Sequence, residues 1–102
     1  DRALEQRKVS TFIYDLGSEW RKITGLPFVF AAWVSMRPLP EDFIHDFNQG
    51  NALGMQKIDE IVAANHYPLF DLKKYYTLHL SYHLDEAKKK GMQRFLEVIR
   101  DM

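Results

Sequence analysis

Two groups of histidines have spacings that could support chemistry. His79 and His83 lie four residues apart, which would place two imidazoles on one face of a helix, as metal sites often require. His45 stands beside Asp46 and could act as an oriented base. The sequence offers the histidine pair no third ligand at a suitable distance, and His45 falls within an amphipathic helical pattern. We therefore predict neither a metal site nor a catalytic base here.

A second group could contact nucleic acid. The run Lys88–Lys90 could touch phosphate, and three tyrosines nearby could stack on bases: Tyr75, Tyr76 and Tyr82. Helical periodicity turns these tyrosines partly inward, so a solvated lysine face is the better interpretation. No glycine-rich phosphate loop, Ser-His-Asp series or paired-carboxylate motif is recognisable, so the catalytic residues stay unknown.

The remaining candidates are apolar. Phe28, Phe30 and Trp33 could line a ligand cleft, because such side chains dominate small-molecule pockets. They could equally be core, since full burial of each would contribute roughly 1.5–3 kcal/mol without any ligand. We name Pro27, Phe28 and Phe30 as candidate pocket-lining residues and leave core packing as the alternative.

These residues belong to a helix end that leads directly into an apolar run. Gly25 can close a helix in the left-handed conformation, and Pro27 cannot rejoin one. Phe28–Val34 then contains no polar residue, which indicates a central strand covered on both faces. We predict a second strand over Val9–Tyr14. Two strands make an incomplete sheet.

Helices are predicted for most of the remaining chain. Asp15 is expected to cap a helix that ends at Gly25, with Trp20 and Ile23 inward. The break at Arg37–Pro40 precedes a helix start at Glu41 and Asp42.

From Phe43 to Val62 the apolar positions recur with helical spacing, as one long helix or two short ones. Gly54 lies near this apolar stripe and could admit another helix. Pro68 ends the region, and a short helix begins near Asp71. The last helix starts at about Asp85, with four apolar residues inward: Met92, Phe95, Leu96 and Ile99.

Composition sets the class of protein. The chain has 102 residues, 46 % of them hydrophobic and 27 % charged, which suits one globular domain at most. Basic and acidic residues number 14 each, so net charge attracts neither nucleic acid nor acidic lipid. There is no cysteine and no apolar stretch of roughly 20 residues. We expect a cytoplasmic protein, and the absent initiator methionine suggests a piece of a larger one.

Several motifs resemble a known family. In order they are Asp1–Leu4, Tyr14–Trp20, Thr24–Trp33 and, more loosely, Phe95-Leu96 after Gly91-Met92. Together they resemble the menaquinone biosynthetic enzymes of the futalosine route, particularly the chorismate dehydratase family. Ser18 departs from the pattern, because the family usually has a second acidic residue there.

The resemblance implies a fold. It would make the chain an α+β fragment, mainly helical with about two strands, from the C-terminal part of a two-lobed α/β fold like type II periplasmic binding proteins. Residues 1–26 would end the second lobe, residues 27–36 would cross between lobes, and residues 37–102 would be the helical C-terminal part of the first lobe.

The resemblance also implies an activity. Family enzymes remove water from chorismate to give 3-[(1-carboxyvinyl)oxy]benzoate without a metal or organic cofactor. Their catalytic residues are expected mainly in an N-terminal portion that is absent here, so the chain alone would be inactive. Chorismate is then the expected partner, with no nucleic acid or membrane.

Three alternatives stay open. One is the sibling enzyme that cyclises dehypoxanthine futalosine, and another is the lobe of a solute-binding protein. The third is a helical interaction module in which Phe28–Val34 pairs with its own copy, because exposed strand edges invite pairing. Self-association is expected in any case, since a missing lobe would leave apolar surface uncovered.

Overall fold

The computed structural model describes residues 2–102, so Asp1 of the first motif lies outside the described residues. Within that range the chain forms six α-helices and one π-helical turn, and no strand. They are α1 (Arg2–Gln6), α2 (Leu16–Thr24), α3 (Glu41–Met55), α4 (Ile58–Ala64), α5 (Leu72–Lys74), the π-helical turn (Tyr75–His79) and α6 (Glu86–Arg100).

The helices fall into two compact units. The first contains the chain up to Trp33 together with Tyr82–Met102, and the second contains Val34–Ser81. The first unit therefore holds α1, α2 and α6, and the second holds α3, α4, α5 and the π-helical turn.

Helix α2 begins and ends where its sequence predicts. The carboxylate of Asp15 accepts a hydrogen bond from the backbone N–H of Ser18 at 2.7 Å, which satisfies one of the unpaired donors of the first turn. Gly25 takes the left-handed conformation with φ 73°, and its N–H donates to the carbonyl of Arg21 at 2.8 Å. Because the cap uses the backbone of Ser18, an acidic side chain at that position is not needed for it.

The two predicted strands are wrong for residues 2–102. Val9 lies in a turn after α1, and residues 12–15 run irregularly into α2. Phe28–Val34 contains no helix, turn or bend, yet it pairs with no neighbouring strand. A strand exists only through hydrogen bonds to a neighbour, and this part of the chain supplies none. The helical part of the predicted fold class is confirmed.

In the first unit α2 and α6 meet through a pair of aromatic rings. Trp20 of α2 and Phe95 of α6 are half-buried, with ring centroids 5.7 Å apart. Ile23 was predicted to be buried but is 82 % exposed. Met92 is half-buried, whereas Leu96 and Ile99 are exposed, against the prediction.

Helix α6 passes very close to the chain that leaves α2. It starts at Glu86, next to the predicted Asp85, whose side chain caps the helix by accepting from the N–H of Lys88 at 2.9 Å. Further along the helix Gly91 is buried, and the carbonyl oxygen of Pro27 occupies the place that a Cβ at Gly91 would take. Only a residue without a side chain fits at this contact.

The second unit contains two helices where one or two were expected. A turn at Gln56 and Lys57 separates α3 from α4. A Cβ at Gly54 would meet nothing within 4 Å, so no helix described here packs against it. Helix α4 ends at Ala64, four residues before Pro68.

An ion pair joins α4 to α5. Asp71 caps α5 by accepting from the N–H of Lys74 at 3.0 Å. Lys73 Nζ lies 2.8 Å from Asp59 Oδ1 of α4, and this hydrogen bond raises the pKa of Lys73. Both groups are exposed to solvent, so the pair adds little stability.

None of the helices within residues 2–102 combines the length and the apolar character that crossing a membrane requires.

Gly91 provides a direct test of this packing. In Gly91→Ala, the new methyl group would collide with the backbone of Pro27, so we expect the free energy of unfolding to fall by about 1–3 kcal/mol in urea titrations followed by circular dichroism. Gly50→Ala in α3 is the matched control, because a Cβ there meets nothing within 4 Å. It should stabilise the protein by roughly 0.5–1 kcal/mol through helix propensity. Equal shifts in the two variants would contradict the close contact.

Candidate functional site

The three predicted pocket residues lie together in the first unit. Pro27 and Phe28 are half-buried, and Phe30 is 72 % exposed. The carbonyl of Pro27 rests on Gly91 of α6, which fixes where the chain leaves α2. The same short segment therefore carries both the packing contact and the candidate pocket wall.

Phe28 is the centre of an aromatic cluster, which we define as Trp20, Phe28, Phe30 and Phe95. Its ring centroid lies 5.8 Å from that of Trp20, 4.9 Å from that of Phe30 and 5.0 Å from that of Phe95. All three pairs are edge-to-face, the arrangement that brings the positive edge of one ring to the negative face of another. Phe28 is thus chiefly a packing residue.

Phe30 has a different environment from Phe28. Its ring lies over the backbone of Gly17, where a Cβ would stand 3.0 Å from Cζ of the ring. Most of the ring nevertheless faces solvent. Of the two phenylalanines, Phe30 is the one that a ligand could reach.

The aromatic cluster carries no charge and one unsatisfied polar group. Trp20 Nε1 is buried and has no hydrogen-bond partner within the described part of the chain. A buried donor without an acceptor costs about 1–3 kcal/mol, which makes the indole N–H an unfavourable feature of the cluster. The cluster can hold an apolar face of a molecule, but it contains no group that transfers a proton near neutral pH.

The histidines do not form a site with acidic side chains. Among residues 2–102, no group of three His, Cys, Asp or Glu side chains is placed to hold a metal ion. His79 packs its ring against Phe70, with centroids 5.6 Å apart. His45 Nε2 lies 3.4 Å from Gln49 Nε2 on the exposed side of α3.

Two lysines of the run have partners close to them in the sequence. Lys88 Nζ donates to the carbonyl of His83, and Lys89 Nζ lies 2.8 Å from Glu86 Oε1. The second contact lowers the pKa of Glu86, whose side chain is largely exposed. Lys89 therefore has an intrahelical anion as its partner.

Tyr75 and Tyr76 lie in an aromatic group of the second unit, whereas Tyr82 belongs to the first unit. Tyr75 packs edge-on against Phe70 at 5.8 Å and lies 5.6 Å from Tyr76. Tyr67 has a buried phenol oxygen with no hydrogen-bond partner in residues 2–102. Tyr76 is half-buried, in agreement with the prediction that the tyrosines turn partly inward, whereas Tyr75 and Tyr82 are 38 % and 50 % exposed.

Sequence reasoning missed Gly91 as a packing residue and the π-helical turn. A glycine in the middle of a 15-residue helix is costly unless packing requires it, and this was the available signal for Gly91. The π-helical turn has no comparable signature in the residues Tyr75–His79.

A family profile and one characterised protein match this chain. The profile of a family described as menaquinone biosynthesis matches residues 1–101. A chorismate dehydratase from Thermus thermophilus is 30 % identical over 104 aligned residues. The match covers 95 % of this chain but 38 % of that protein, so the chain spans well under half the length of its relative. No solved structure gives a significant match.

The different environments of Phe28 and Phe30 predict different costs of truncation. Phe28→Ala removes three ring contacts and should lower the free energy of unfolding by about 2–3 kcal/mol, somewhat less than a fully buried phenylalanine. Phe30→Ala, at a largely exposed position, should cost less than about 1 kcal/mol. Urea unfolding of the two variants measures the difference, and a larger cost at Phe30 would show that the cluster is centred elsewhere.

Proposed function

The chain belongs to the menaquinone biosynthesis family, and we propose that it forms the C-terminal part of a chorismate dehydratase. The observation that carries the proposal is the family match over residues 1–101, supported by the Thermus relative. The proposed reaction converts chorismate to 3-[(1-carboxyvinyl)oxy]benzoate and water. The ring loses a hydroxyl group and a proton and becomes aromatic, so no oxidant or reductant is needed.

We propose a supporting role for this chain in that reaction. Pro27 and the exposed ring of Phe30 offer an uncharged wall to the flat face of the substrate ring. The two carboxylates of chorismate require cationic or N–H donors, and the aromatic cluster offers none that is accessible. Carboxylate binding and proton transfer are therefore assigned to the portion of the complete protein beyond the matched stretch.

The proposal includes the two-lobed fold that the resemblance implies. Residues 1–26 would end the second lobe, residues 27–36 would cross between lobes, and residues 37–102 would belong to the first. A cytoplasmic location and a reaction without a metal or organic cofactor are part of the same proposal.

The reaction can be tested directly with chorismate. The natural polypeptide that contains these residues, at its full length, should convert chorismate to a product lighter by one water in mass spectrometry. The 102-residue chain alone should give no such product, because the proposed proton-transfer groups lie outside it. Intact chorismate after incubation with folded full-length protein would favour the sibling cyclase or a binding protein, and turnover by the chain alone would place the chemistry within it.

Phe30 can be tested as part of the substrate wall. In the full-length protein Phe30→Ala should raise KM for chorismate about fivefold to tenfold, equivalent to roughly 1–1.4 kcal/mol of lost contact, with little change in kcat. Phe12→Ala is the matched control, because Phe12 is 75 % exposed and lies outside the aromatic cluster. Equal effects of the two substitutions on KM would remove Phe30 from the substrate wall.

A further inference from the structure

Two glycines, one on each of two helices, lie against the residues of the proposed substrate wall. Gly91 of α6 lies against the backbone of Pro27, whereas Gly17 of α2 lies under the far end of a side chain, the ring of Phe30. Packed backbone yields little to an added methyl group, but an exposed ring can move aside. Gly91 therefore fixes the packing of α6, and Gly17 fixes where the ring of Phe30 can settle.

The backbone of α2 does not explain a glycine at position 17. Of the glycines in residues 2–102, only Gly25 has a positive φ, so Gly17 adopts a conformation open to any residue. Within a helix glycine is less favourable than alanine, because it loses more backbone freedom on folding. The reason for Gly17 is therefore to be sought in the groups around it.

Two groups close the space above Gly17. A Cβ at this position would stand 3.0 Å from Cζ of Phe30 and 3.4 Å from Oδ1 of Asp15. The carboxylate of Asp15 is held in place, because it accepts the cap hydrogen bond from the N–H of Ser18 at 2.7 Å. The ring of Phe30 is 72 % exposed and has no such tie. A methyl group at Gly17 would therefore displace the ring by a few tenths of an ångström.

Phe28 limits the direction of that displacement. Its ring meets the ring of Phe30 edge-to-face, with centroids 4.9 Å apart and planes at 74°. Phe28 is itself held by Trp20 and Phe95. With Gly17 under it and Phe28 beside it, the ring of Phe30 can yield towards solvent, the side from which a ligand would approach.

We propose that Gly17 is a positioning residue for the substrate wall. Because Gly17 has no side chain, the ring of Phe30 settles against the start of α2 and leaves the space in front of it to the ring of the substrate. A side chain at position 17 pushes the ring of Phe30 into that space. The inference rests on the proposed function, in which Phe30 is part of the wall, and Gly17 acts through Phe30 without touching substrate.

Gly17→Ala in the natural full-length polypeptide tests this role. We expect KM for chorismate to rise about threefold with little change in kcat, because the ring is displaced but still present. The midpoint of thermal unfolding should stay within about 2 °C of the wild-type value, since the helix propensity of alanine offsets the tighter contact.

Ser18→Ala is the matched control for this substitution. Ser18 is the next residue of α2, is exposed, and caps the helix through its backbone N–H, which alanine keeps. Its KM should equal that of the wild type. A KM in Gly17→Ala no higher than that in Ser18→Ala would refute the positioning role.

A double variant shows whether Gly17 acts through Phe30. Phe30→Ala removes the ring, so the addition of Gly17→Ala should leave KM within about 1.5-fold of its value in Phe30→Ala. If the two effects on KM multiply, Gly17 acts on the site by another route and the proposal is overturned. A general loss of stability would not give the expected pattern, because it would act with or without the ring.

A measurement without chorismate tests the contact itself. In the full-length wild-type protein, with glycine and phenylalanine selectively labelled, we expect a nuclear Overhauser effect between Hα of Gly17 and the ring protons of Phe30. Its absence would place the ring elsewhere in the complete protein and overturn the proposal. A fall in the unfolding midpoint of Gly17→Ala as large as that of Gly91→Ala would also overturn it, because the ring would not have yielded to the methyl group.

The two proposals can fail separately. No loss of water from chorismate with the wild-type protein would refute the dehydratase, and the Overhauser effect would still decide whether Gly17 holds the ring. Turnover of chorismate with the same KM in the wild type and in Gly17→Ala would keep the dehydratase and refute the positioning role.

Discussion

The contact between the carbonyl of Pro27 and the backbone of Gly91 is the constraint on which the first unit depends. It brings α6 against the chain at the point where that chain leaves α2. This close approach lets the ring of Phe95 reach Phe28, which also contacts Trp20. A side chain at Gly91 would push α6 away from Pro27 and so lengthen the contacts of Phe95 with Trp20 and Phe28. The place of Phe95 in the aromatic cluster therefore depends on the glycine at position 91.

The features that could be predicted from the sequence are those decided by a few neighbouring residues. Asp15, Asp71 and Asp85 each cap a helix through an N–H three residues later, and Gly25 closes one through its own conformation. Such contacts need nothing from distant parts of the chain. The expected strand Phe28–Val34 depends instead on hydrogen bonds to a neighbouring strand. The apolar pattern indicates a strand but does not show whether a neighbouring strand is present. Ile23 is a further example. Its position in α2 fits the predicted buried stripe, yet its side chain is 82 % exposed, because burying it also needs a distant neighbour.

The candidate site, too, could be predicted from the sequence only in part. The residue types of Pro27, Phe28 and Phe30 indicated an apolar wall, and the structure does bring them to one place. Their separate roles could not be read from the pattern, because they depend on α6, which follows more than 50 residues later in the chain. Phe28 packs against Phe95 of α6, whereas the ring of Phe30 lies over Gly17 and is largely exposed to solvent. Periodicity alone treats the two phenylalanines as equivalent, since both face the same side of an extended chain.

The lack of an interior also determines what an isolated chain can reveal about function. Ordering each residue costs roughly 1–2 kcal/mol of backbone entropy, and this cost is recovered mainly by burying apolar surface. Since no hydrophobic side chain of residues 2–102 is fully buried, this part of the chain recovers little by itself. Within the described residues, Pro27 is held by its contact with Gly91, and Phe30 by its contacts with Gly17 and Phe28. The substrate wall proposed for Pro27 and Phe30 therefore depends on these few contacts.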